Sequence, residues 1–242
     1  MKALKITIIA LLAGFSMVSC DFLDKEPTKL TPENYFNTPT EANSFLTGIY
    51  AILSQPTFYG GDYMYLVAGD DLSHYGGSGR GPASTGLICN NATTSDNAVT
   101  AFWYALYSGI NRANMFLENI DKVNGFDAGV KEQYIAEARF LRAYYYSLLM
   151  STFGPVFILG DEPTDYEQED LNERERDSWE KCVDYVTTEL YEASKGLPQE
   201  WASAKYGRAT KGAALAIRSR VYLYSARKLF NGNDLYKGVI DK

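Results

Sequence analysis

Histidine is almost missing: the 242 residues contain one, His74. A single imidazole excludes a three-histidine catalytic zinc, the H-E-x-x-H metalloprotease helix and any histidine-rich metal tract. Any Ser-His-Asp or Cys-His chemistry would have to use His74 alone. Cysteine is scarce too, with only Cys20, Cys89 and Cys182, too few for a disulfide framework. Positive charge is in deficit, 23 Lys and Arg against 30 Asp and Glu for a net charge of −7. The chain therefore lacks the electropositive footprint that supplies most nucleic-acid affinity. A phosphate loop is also lacking, since Gly76-Gly77-Ser78-Gly79-Arg80-Gly81 has neither the Gly-Lys-Ser/Thr ending nor a strand before it. What abounds is tyrosine, 19 residues against 12 Phe and 3 Trp. Its apolar body and polar tip suit half-wet surfaces as well as cores. With 46% hydrophobic and 22% charged residues, the composition is that of a folded protein. The length allows one large domain or two small ones.

Residues 1–19 read as a bacterial secretory signal peptide outside the fold. Lys2 and Lys5 form a basic start, Ile6 to Phe15 is an apolar run, and Ser16-Met17-Val18-Ser19-Cys20 closes it. The run is too short for a membrane-spanning helix, which needs about 20 residues. Its end resembles a lipobox, in which cleavage falls before a cysteine that becomes lipidated, with Met17 where Leu is preferred. Cys20 is thus the expected first residue of the mature chain and the lipid carrier. Removing residues 1–19 takes two lysines and no acids, leaving a net charge of −9. More than one acyl chain on Cys20 would hold the protein stably at a membrane. Cys89 and Cys182 are expected to be unpaired, Cys182 lying at core spacing with Trp179, Val183 and Val186.

The remaining pattern is helical, with almost no strand signal. Thr38-Pro39-Thr40-Glu41 is a capping box with proline at the first helical position, opening a helix over 39–54. Residues 55–97 are loop-like and glycine-rich, and a loop of that length is usually functional or mobile. A second helix, capped by Ser95 or Asp96, carries Phe102, Trp103, Leu106, Tyr107, Ile110, Ala113 and Asn114 on one face. A third runs from about Gly129 to Thr152 and stops at Gly154-Pro155. Nine carboxylates crowd residues 161–177. Asp177-Ser178-Trp179-Glu180 reads as a second capping box opening a fourth helix, and Thr210 caps a fifth.

The sequence repeats internally. Ala138 to Tyr146 aligns with Ala216 to Tyr224, and Trp103 with Trp179. Each unit is a Trp-led helix followed by an Ala-x-x-x-Arg-x-Tyr-x-Tyr helix. Stacking such hairpins builds a core that neither has alone. The expected fold class is all-α, a TPR-like array of stacked helical hairpins with a long N-terminal loop region.

Four runs recur in order along the chain: Cys20-Asp21-Phe22-Leu23-Asp24 with Pro27, the Trp103-x-x-x-Tyr107-x-x-Ile110-x-x-Ala113-Asn114 helix, Ala136 to Tyr145, and Gly207 to Ala214 leading into Arg220-Val221-Tyr222-Leu223-Tyr224. In these runs the chain resembles the SusD/RagB family of surface lipoproteins of Bacteroidetes. The resemblance covers nearly the whole chain after Cys20, residues 20–242 being one domain of this type. What the resemblance implies is a non-enzymatic lipoprotein of the outer membrane, exposed at the cell surface. It would bind a glycan, or less readily a peptide, and deliver it to a SusC-like TonB-dependent transporter. Family members are considerably longer, and Asn231 to Lys242 does not read as a finished C-terminus, so the chain is expected to be an incomplete piece. Two other classes fit the helical pattern: a TPR-type protein–protein scaffold on the same membrane, and an all-α glycoside hydrolase.

Several polar and aromatic residues that could form a site also have plain packing roles. Arg142 and Arg220, at equivalent repeat positions, read as structural cations paired inside the array. Trp103 and Trp179 read as core, and Trp201 as packing of its loop. The acidic run offers oxygen ligands suited to calcium but no EF-hand pattern, so a solvated face is the better reading and no cofactor is expected. Adjacent carboxylates such as Asp70-Asp71 say nothing of the separation that glycoside hydrolysis requires. The glycine-rich loop holds the ligand candidates. Tyr75 would offer a ring face to a sugar or peptide side chain, with His74, Arg80, Asn90 and Asn91 donating hydrogen bonds around it.

Overall fold

The computed structural model describes residues 36–54, 97–164, 174–227 and 230. Five α-helices lie in these residues: α1 (Pro39–Tyr50), α2 (Asn97–Asn119), α3 (Val130–Phe153), α4 (Trp179–Gly196) and α5 (Lys211–Ser225). Short 3₁₀ turns follow α1 and α2 and precede α5, and no strand occurs among the described residues. The signal segment, Cys20 and the loop from residue 55 to 96 lie outside the described residues.

The caps follow local chemistry. The Thr38 hydroxyl accepts from the Glu41 N–H while the Glu41 carboxylate accepts from the Thr38 N–H, so two orphan donors are satisfied at once. Thr210 caps α5 through the Ala213 N–H. Gly129 and Gly154 flank α3 with positive φ. The fourth helix departs from expectation by one residue. Its cap is Ser178, whose hydroxyl accepts from the Lys181 N–H. Asp177 is instead drawn away from the helix, accepting from the Ile158 N–H at 2.7 Å and from the Lys181 ammonium at 2.5 Å.

From α2 onward successive helices run antiparallel. Phe102 near the start of α2 meets Phe153 at the end of α3, while Asn114 further along α2 meets Arg142. Ala136 early in α3 meets Gly196 at the end of α4, and Tyr146 meets Tyr185. Thr187 of α4 meets Arg218 of α5. The chain is therefore an all-α stack of helical hairpins in which α3 packs on both α2 and α4. Its position explains its burial: Ala138, Leu141, Ala143, Tyr145, Tyr146 and Leu149 are fully inaccessible. Close approach to α2 is possible because Gly109 faces the Tyr145 ring, where a Cβ would fall 2.7 Å from a ring carbon. The Tyr145 hydroxyl crosses to α1 and donates to the Ile49 carbonyl at 2.6 Å.

Trp179 and Cys182 are core residues, as their spacing predicts, and Cys182 is a free buried thiol whose Sγ lies on the Val156 carbonyl. Burial pushes that thiol up, so it is not poised as a nucleophile. Trp103 is half-buried against Phe153 and Phe157. Trp201 packs its loop by donating to the Ala209 carbonyl. Among the described residues no helix is long and apolar enough to cross a membrane.

Candidate functional site

The ligand candidates His74, Tyr75, Arg80, Asn90 and Asn91, and the lipidation candidate Cys20, all lie outside the described residues. The described residues supply a helical scaffold held by two buried polar clusters.

The first cluster centres on Arg142, whose side chain is 3% exposed. Its guanidinium donates to the Asn114 side-chain oxygen at 2.8 Å and to the Glu189 carboxylate at 2.5 Å, and it pairs with Asp161 at 2.9 Å. Arg139, one turn earlier on α3, donates to the other Glu189 oxygen at 2.5 Å. One carboxylate from α4 thus joins two cations from α3. Burial alone would raise the Glu189 carboxyl, but the hydrogen bonds and charges of Arg139 and Arg142 outweigh it and hold it below the ordinary range. The reading of Arg142 as a structural cation holds.

The same cluster pins the start of the acidic run. Asn114 donates to the carbonyls of Gly160 and Glu162. Asn111, one turn earlier, accepts from the Thr164 N–H and donates to the Thr164 carbonyl. Two side-chain amides on one face of α2 therefore act as the hydrogen-bonding edge for an extended strap. At the far end Arg174 donates to the Ile158 carbonyl and Arg176 to those of Phe153 and Pro155. The ends of the run are structural: Asp161 serves Arg142, and Asp177 serves Ile158 and Lys181. Residues 165–173, with the remaining acids of its middle, lie outside the described residues.

The second cluster centres on Glu137, fully buried in α3. Its carboxylate accepts from the Tyr50 hydroxyl of α1 at 2.7 Å and from Arg208 at 3.1 Å. Arg208 also donates to the Asn43 side-chain oxygen, and the Tyr50 hydroxyl in turn accepts from the Ala209 N–H. Three segments distant in sequence are closed onto one carboxylate. Burial pushes the Glu137 carboxyl up, opposed by the Tyr50 hydrogen bond and the Arg208 charge. Sequence reasoning missed both glutamates, although each carried a signal: a carboxylate flanked by alanines at 136 and 138, and another at core spacing between Val186 and Ala193.

Among the described residues no group of three or more His, Cys, Asp or Glu could hold a metal ion. The two buried carboxylates are each held by arginine, and Glu137 by a tyrosine hydroxyl as well, so each ties separate segments of the fold together.

Stacked antiparallel hairpins joined by buried charge clusters define a TPR-like helical scaffold. Residues 21–223 match the SusD-like family model described as "Starch-binding associating with outer membrane", and the chain belongs to that family. Among curated proteins it is 30% identical over 232 residues to SusD-like protein P2 of Formosa agariphila, covering 92% of this chain and 43% of that protein. Among solved structures it is similar to a SusD homolog from Bacteroides thetaiotaomicron, with 30% identity, TM-score 0.71, and coverage of 86% of this chain and 40% of that one. A laminarin binding SusD-like protein shares the fold at 24% identity and TM-score 0.68, covering 82% of this chain and 42% of that one. The chain thus spans less than half the length of these relatives.

Proposed function

We propose that this protein is a cell-surface lipoprotein that binds a nutrient glycan and passes it to a SusC-like TonB-dependent outer-membrane transporter, without catalysis. The observation that carries the reading is where the family match begins. It starts at residue 21, immediately after the cysteine that ends a signal-type segment, and runs to residue 223. A chain lipidated at Cys20 would present the whole matched region outside the bilayer. The family description supports starch-like glycans as the ligand class.

In this reading the buried clusters hold the helices rigid, and ligand contact falls to the loop of residues 70–97. Tyr75 supplies a ring face for a sugar, and His74, Arg80, Asn90 and Asn91 donate to its hydroxyls. The reading is tested by calorimetry of the full-length protein with oligosaccharides and peptides, comparing wild type with Tyr75→Ala and Arg80→Ala. Loss of a stacking ring is expected to weaken glycan binding by about tenfold or more, corresponding to roughly 1–2 kcal/mol. Equal affinity in all three proteins would place the site elsewhere.

A further inference from the structure

Charge is unevenly spread along this acidic chain. Residues 201–233 hold seven Lys and Arg and no Asp or Glu, although the net charge is −7. Elsewhere in the array the arginines meet carboxylates: Arg139 and Arg142 meet Glu189, and Arg208 meets Glu137. On α5, Lys211, Arg218 and Arg220 meet none among the described residues. Arg220 is exposed and makes no hydrogen bond or ion pair among them, so the sequence reading of it as a cation paired within the array does not hold there. Arg218 differs from both in being half-buried and held in place. Its Nε donates to the Thr187 carbonyl of α4 at 3.2 Å, and its Nη2 to the Tyr222 hydroxyl at 3.2 Å. The guanidinium lies 5.0 Å from the Tyr191 ring centre and 5.2 Å from that of Tyr222. Its Nη1 donates to nothing among the described residues. Glu192, next to Tyr191, is taken by Lys195 at 2.6 Å. Tyr191 is 46% exposed, and Leu215 and Lys211, one and two turns before Arg218 on the same face of α5, are exposed as well.

We propose that the seam of α4 and α5 around Arg218 binds an anionic glycan, taking the carboxylate of a uronic acid or a sulfate ester on Arg218 and Lys211 and the sugar ring beside Tyr191. The proposal rests on the reading of the protein as a glycan binder and adds a charged ligand class and a second contact surface to it. Charge complementarity selects an anion. A planar guanidinium already fixed by a carbonyl and a hydroxyl has given up most of its side-chain freedom, so its unused N–H groups meet an oxyanion at little further entropic cost. Lys211 adds a second positive charge on the same face of the helix. The aromatic neighbour selects a sugar over a simple acidic peptide. A uronic acid carries a carboxylate on the same ring that presents an apolar face, and Arg218 with the exposed Tyr191 and Leu215 offers both complements side by side.

Calorimetry of the full-length protein with three probes tests this: a short oligouronate, a neutral malto-oligosaccharide of the same length, and an oligoglutamate of the same charge. The oligouronate should bind, and its affinity should fall with added salt. Arg218→Gln should weaken it by about tenfold or more, and Tyr191→Ala should weaken it too. Lys211→Gln, which removes an exposed charge with no partner to strand, should weaken it by about threefold and so keeps the test independent of the hold of Arg218 on α4. Arg220→Gln removes the same charge two residues away, on the other side of the helix, and should leave oligouronate affinity within about twofold of wild type. Loss of oligouronate binding on Tyr75→Ala but not on Arg218→Gln would overturn this site while leaving the proposed function standing. Binding of the malto-oligosaccharide without binding of the oligouronate would do the same. Oligoglutamate bound as tightly as oligouronate would assign the seam to an acidic protein partner and overturn the proposal, as would equal losses from Arg220→Gln and Arg218→Gln.

Discussion

Glu189→Gln is expected to destabilise the protein by about 3–5 kcal/mol at neutral pH. The change keeps the shape of the side chain and removes its charge, stranding Arg142 in the core with only an exposed aspartate and an amide as partners. For a chain of this size the loss corresponds to a fall in Tm on the order of 10 °C. The pH dependence adds a second signature. Folding holds the Glu189 carboxyl below its ordinary value of 4.5, so its contribution is complete above that pH and is lost as pH falls through the folded-state value. The gap between wild type and Glu189→Gln should therefore narrow on acidification below pH 4.5. Glu137 has the opposite sign: its carboxyl is raised by burial, so its ionisation draws stability away as pH climbs above 4.5. Thermal melts between pH 3 and pH 7 separate the two. A Glu189→Gln protein within about 0.5 kcal/mol of wild type would show that the cluster does not join α3 to α4.

Leu141→Asp is expected to cost several kcal/mol, on the order of half the stability of a typical domain. Leu141 is fully buried in α3, the helix packed on both α2 and α4, and the α3 arginines Arg139 and Arg142 are already paired with Glu189. Soluble yield should fall along with Tm. Leu223→Asp provides the contrast. It lies on α5 and is 71% exposed, so the same chemical change should move stability by about 0.5 kcal/mol or less. Similar losses in both variants would mean that α3 is not the centre of the fold.

The sequence made the helices legible because their signals are local. Thr38 and Glu41, Gly154, and Thr210 each act within four residues of their own position, and the apolar spacing of α2 and α3 needs no knowledge of the partner. The cap of α4 lies one residue beyond the Asp177 that the sequence favours, for the opposite reason. Asp177 and Ser178 are equally good caps in isolation, and the choice is made by Ile158, 19 residues away. Asn114 stands out only as a polar residue on the apolar face of α2, Asn111 carries no signal of its own, and only the returning strap some 50 residues later gives them acceptors and donors. Arg142 and Arg220 read alike in the repeat but differ in what covers them, which periodicity does not encode. The candidate ligand loop stands out by its composition and its position in the chain, and its residues lie outside those the structure describes.

The most direct test of the account is retention of a fluorescent starch-type oligosaccharide by intact cells producing either the wild-type protein or Cys20→Ala, both at full length. Wild-type cells should retain the glycan saturably, and Cys20→Ala cells should lose that retention, although the purified variant binds the same glycan with unchanged affinity. Equal retention by the two strains, or no saturable retention by either, would contradict a lipid-anchored glycan-capturing role at the cell surface.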